Sequence, residues 1–141
     1  MRFKDILSAA AGTAGALIVK ITGGWNGAMT TLLIFMAADY ISGLLLAGVF
    51  KKSPKSENGA LQSYAGFKGI VRKGIMLIIV LLSFRLDMVT GLDFVANGVI
   101  IAFITNEAIS ITENAALMGV PLPAPLMRAI DVMKSEKAKD Q

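Results

Sequence analysis

Residues 95–119, VANGVIIAFITNEAISITENAALMG, are long and apolar enough to cross a membrane, yet they carry Asn106, Glu107, Ser110, Glu113 and Asn114. At about 100° per residue, those five polar side chains fall within one wedge roughly 120° wide. The remaining circumference is mostly Ile, Val, Ala, Leu and Phe. A soluble amphipathic helix would turn such a wedge to water, but these flanks are too oily for that. A carboxylate at the bilayer centre costs on the order of 3 kcal/mol on insertion scales, so a helix holding two needs a use for them. The stretch therefore restricts the chain to folds in which helices cover one another's polar faces inside a membrane.

Three more apolar segments precede it. Residues 27–50 form a strong span whose only charge is Asp39. Residues 74–92 open with GIMLIIVLLSF and then meet Arg85 and Asp87. Residues 6–24 are the weakest. There Ile6, Leu7, Ala10, Ala14, Leu17, Ile18 and Ile21 share one face, and the pairs Ala11/Gly15 and Ser8/Gly12 permit close helix contact. As a helix this segment reaches about 28 Å, barely enough to cross, and an interfacial amphipathic helix is the alternative. The basic start MRFK invites a signal-peptide reading. Asp5, the weakly hydrophobic SAAAGTAGA and Lys20 argue that the segment is retained.

The expected fold is thus an all-α integral membrane protein, a self-associating bundle of about four transmembrane helices, or three plus an interfacial N-terminal helix. Residues 1–125 make one transmembrane domain, with spans at about 6–24, 27–50, 74–92 and 95–119 and a polar loop at 51–73. PLPAP at 121–125 ends the last span, since Pro removes a donor and clashes with the preceding turn. Residues 126–141 form a short amphipathic tail through Leu126, Ile130 and Met133, with the charged KSEKAKDQ expected to fray.

Composition agrees and excludes. Of 141 residues, 55% are apolar and 17% charged, against about 45–50% and 25% in a soluble domain. With no Cys and no His, the chain lacks thiolate nucleophiles, disulfides, the commonest general base and the commonest transition-metal ligand. No phosphate loop or hydrolase motif is present. We read the chain as non-enzymatic and without cofactor or metal.

The net charge of +4 is a matter of topology rather than nucleic-acid binding, because the basic residues flank apolar segments. With four spans and both termini cytoplasmic, twelve of the fourteen Lys and Arg residues lie inside. Six of them, Lys51, Lys52, Lys55, Lys68, Arg72 and Lys73, belong to the central loop. They are read as topology determinants that also attract anionic lipid, at about 1 kcal/mol per charge. Lys20 and Arg85 sit near outer helix ends and can snorkel. Trp25, Tyr64 and Phe67 fit an interfacial role, and Gly43, Gly48, Gly91 and Gly98 fit close packing or turns.

Depth sorts the buried charges. Counted from the outer ends, Arg85 lies about 10 Å deep, Glu107 about 15 Å, Asp39 about 18 Å and Glu113 about 24 Å. Arg85 is therefore the expected ion-pair partner of Glu107, fixing helix register. Asp39 stands in D-Y-I-S-G with Ser42 and Gly43 on its side of the helix. It serves either as hydrogen-bonded glue between helices or as part of a water-facing surface in an oligomer. Five polar groups from Asn106 to Asn114 exceed what one partner helix satisfies, so self-association around water is expected for that stripe.

Taken together, D39-Y-I-S-G43, the basic loop ending G69-I-V-R-K73, N106-E-A-I-S-I-T-E-N114 and G119-V-P-L-P123 resemble the toxin-secretion and phage-lysis holin family over about residues 30–134. The order and spacing of these pieces carry the resemblance. It implies a small homo-oligomeric protein of the bacterial cytoplasmic membrane, encoded by a phage or prophage. Such proteins accumulate harmlessly, then form lesions that release a cell-wall-degrading endolysin, or export a large toxin in relatives from toxin loci. The alternative from the residues alone is a small ion or proton channel or transporter subunit that uses Asp39 and Glu107.

Overall fold

The structure is a computed structural model that describes residues 2–22 and 26–139. Trp25, assigned above to the interface, lies outside the described residues. The described residues form five α-helices: α1 (Phe3–Thr22), α2 (Gly27–Leu45), α3 (Ser63–Thr90), α4 (Val95–Leu117) and α5 (Ala124–Lys139). No strand occurs among the described residues.

Local chemistry sets the helix ends. Asn26 caps α2, its side chain accepting from the Met29 N–H at 2.8 Å. A π-helical turn, Leu46–Phe50, carries α2 on to a stop at Lys51, which adopts the left-handed conformation (φ 53°). α4 ends in a Schellman turn. Gly119 sits at φ +84°, its N–H bonds to Ala116 O at 3.0 Å, and the Val120 N–H bonds to Ala115 O at 3.0 Å. The stop therefore comes just before the prolines rather than at them.

Among the described residues, two helices are long and apolar enough to cross a membrane: Gly27–Phe50, the π turn included, and Val95–Leu117. Only 28% of the most apolar stretch of each is buried within the chain, so neither behaves as the core helix of a soluble protein. Ile34, Ile41, Ile78, Leu82 and Ile101 instead stand exposed as an apolar exterior.

α2, α3 and α4 form the body. Met29, Leu32, Met36, Val80, Ile100 and Ile104 make its apolar core. Toward the other end of the bundle, Asp39 lies level with Lys73 and Glu107, and Ser42 with Asn114. That order makes α2 and α4 parallel, with α3 antiparallel between them in sequence. In lipid such burial yields close packing rather than water release, so the fit of Leu32, Val80 and Ile100 matters more than their area. Every α1 side chain described is exposed. Ile130 of α5 is 3% exposed and Met133 packs against the core cluster, so α5 folds back on the bundle.

Two expectations need correction. The loop does not run to residue 73: helix α3 begins at Ser63, since no Pro follows Gln62 to stop it and the Tyr40 ring packs where Gly66 and Gly69 would otherwise weaken the first turns. The tail is helical through Lys139 rather than frayed, since its apolar face finds a docking surface. Among the glycines, Gly91 (φ +72°) does serve a turn, while a Cβ at Gly48 or Gly98 would meet nothing within 4 Å, so neither is a close-packing site.

Candidate functional site

The polar residues of the three body helices converge on one buried seam. Asp39 stands twelve residues after the start of α2 and Glu107 twelve after the start of α4, which sets the parallel helices in register. Both carboxylates are buried, at 6% and 5% exposure. Lys73, ten residues after the start of α3, bridges them. Its Nζ donates to Asp39 Oδ2 at 2.8 Å and to Glu107 Oε2. Asn114, also buried, donates from Nδ2 to Ser42 Oγ at 2.9 Å, with Asp39 Oδ1 at 3.5 Å. Polar groups from three helices thus satisfy one another where lipid cannot. The formal charge of the triad is two carboxylates against one ammonium.

Glu107 does not pair with Arg85. Arg85 is exposed and donates to Met88 Sδ at 3.5 Å. With the observed helix ends, Arg85 lies about 8 Å from the α3 terminus and Glu107 about 18 Å from the α4 start, too different in depth to meet. Lys73 in turn is not exposed like the loop residues Lys51, Lys52 and Lys55 or like Lys68 and Arg72 of α3, the ammonium of Lys68 lying 4.6 Å from the Tyr64 ring centroid. The Lys73 side chain is 16% exposed. Its position immediately before the apolar run of α3 was the available signal, because a lysine there can fold its long stem along the helix and carry its charge inward.

The stripe of α4 is divided. Glu107 and Asn114 are buried, Ser110 is half-buried, and Asn106 and Glu113 are exposed. A cavity of about 450 Å³ adjoins the seam, lined by Asp39, Lys73, Asn106, Glu107, Ser110 and Asn114 together with Lys55 and Ser56 of the loop and Arg72 of α3. Tyr40 closes one side, its ring lying against α3 where Gly66 and Gly69 leave room. A Cβ at Gly69 would rest 3.6 Å from the ring. At Gly43 a Cβ would lie 3.8 Å from Asn114 Nδ2, an ordinary contact, so close approach is not what a glycine supplies there.

A residue not singled out from sequence organises the opposite end. Asp87 accepts from the N–H groups of Val95 (3.1 Å) and Ala96 (2.9 Å), capping α4 from across the turn. Acidic residues before a helix start are a readable capping signal, but the intervening Gly91–Phe94 hides it.

Among known proteins, the model of the bacteriophage holin family matches residues 16–135. The chain is 34% identical over 125 residues to an uncharacterized 14.9 kDa protein of Clostridium perfringens, covering 87% of this chain and 89% of that one. It is 34% identical over 128 residues to an uncharacterized protein of Listeria monocytogenes (90% and 86%). To a probable holin of Bacillus phage phi105 it is 30% identical over 106 residues (74% and 73%). No solved structure matches. The polar seam lies within the matched region, and the chain belongs to the bacteriophage holin family.

Proposed function

We propose that the chain is a holin of the bacterial cytoplasmic membrane that self-associates and opens lesions through which an endolysin reaches the cell wall. The observation that carries this reading is the charged seam enclosed by helices with an apolar exterior. The seam is satisfied within one chain, which suits harmless accumulation. The same groups, turned outward in an oligomer, would line water. The exposed Asn106 and Glu113 of α4 extend that hydrophilic strip. Export of a large toxin would use the same lesion. Endolysin or toxin needs no direct contact with the chain, and the reading requires neither cofactor nor enzymatic step.

For topology we propose four spans with both termini cytoplasmic, the basic loop inside and the Asp87 turn outside. Reporters fused after Gln141 and inserted near Ser56 should both report cytoplasm, as should an N-terminal tag. External labelling of residue 2 would place α1 on the outer surface and leave three spans. The complete exposure of the described α1 side chains motivates that comparison.

Induced expression should collapse the membrane potential abruptly after a lag, and co-expressed endolysin should then lyse the cells. The cavity beside Asp39, Lys73 and Glu107 favours one rival, an ion-conducting subunit. Graded ion leakage that never passes folded protein would decide for the rival.

A further inference from the structure

We propose that Lys73 is the latch that holds the closed form, and that the carboxylate left in excess when it withdraws drives the seam toward water. This rests on the lesion reading and names its regulation. The geometry is specific. One ammonium, carried by α3, is the shared counter-ion of carboxylates on α2 and α4. The cluster that joins α2 directly to α4 is built from Asn114, Ser42 and Asp39 and does not need α3. α3 is therefore the removable wall. Its inner end is held at the seam by Lys73 and by the Tyr40 ring against Gly66 and Gly69, with Tyr40 Oη only 3.5 Å from Gly66 O. Next to these contacts lies the 450 Å³ cavity, whose wall already includes both carboxylates. When α3 swings away, Asp39 and Glu107 face each other across parallel helices with no cation between them. Two like charges in a dry seam repel, and the relief is either proton uptake by one carboxylate or hydration; the adjoining cavity, whose wall they already share, offers the water. The surface so exposed is acidic on α2 and α4, while the departing end of α3 frees Lys73 beside Lys68 and Arg72, which already face outward. Adjacent copies can then pair acidic with basic faces, which makes opening cooperative.

The test compares charge variants at matched, quantified amounts of membrane-inserted protein. Lys73→Met should open at a threshold amount roughly threefold or more below wild type, because breaking a buried ion pair is strongly unfavourable. Asp39→Asn/Lys73→Met/Glu107→Gln removes every charge of the triad and should accumulate normally but open late or never. Opening of the triple variant at the wild-type threshold would overturn the latch. So would its failure to accumulate, which would make the charges a requirement of folding. A second readout does not depend on lesions. In this cysteine-free chain, Gly69→Cys places one thiol against Tyr40. Its maleimide labelling in purified protein should be slow, and faster by roughly tenfold when Lys73→Met is added. Equal labelling rates would refute the release of α3. If wild-type protein never depolarises cells while labelling still responds to Lys73→Met, the lesion reading fails and the latch stands.

Discussion

At the scale of single residues, chemistry and position separate side chains that look alike in sequence. Glu107 and Glu113 are six residues apart on α4, yet the first is buried against Lys73 and the second is exposed. Glu107→Gln should leave a neutral Asp39–Lys73 pair and delay lesion opening, whereas Glu113→Gln should change its timing much less. Lysis time read beside membrane-inserted protein distinguishes the two. Asp87→Ala should cost about 1 kcal/mol by uncapping α4, seen as a lower melting temperature in detergent. The glycines divide in the same way. At Gly59 (φ +76°) a Cβ would lie 2.3 Å from Lys51 O, so Gly59→Ala should destabilise the loop by about 1–2 kcal/mol or more. Gly43→Ala, with ordinary contact only, should be neutral or stabilising by up to about 1 kcal/mol.

At the scale of elements, the apolar runs declare themselves and their partners do not. The span expected at 27–50 is the helix observed with its π turn, and α4 starts where its apolar run starts. These boundaries are legible because lipid-facing helices must be continuous and oily. The start of α3 was not legible, since its first turns are basic and amphipathic and read equally well as loop. The seam was half legible. Asp39, Glu107 and Asn114 stand out as polar groups in oily helices, but the residue that unites them looks like one more topological lysine. Which cation reaches a buried carboxylate depends on the antiparallel register of α3, and no local pattern encodes that register. α5 gives a further expectation. Ile130→Asp should detach it from the bundle, so trypsin should cut at Arg128 and Lys134 faster in inside-out vesicles, by roughly an order of magnitude.

At the scale of the whole molecule, α2, α3 and α4 are pinned to one another at a single polar storey. Asp39 and Glu107 stand at equal depth, and Lys73 joins them. A slip of one helix by one turn, about 5.4 Å, would undo those bonds together. The bundle therefore cannot adapt to a thinner or thicker bilayer by sliding its helices, and must tilt as one body or deform the lipid around it. In the assembly proposed above, hydrophobic mismatch, which costs a fraction of a kcal/mol per Å, would be borne by every copy alike and summed. The thickness of the membrane would then be a shared load on that proposed oligomer, and acyl-chain length a dial on when it gives way.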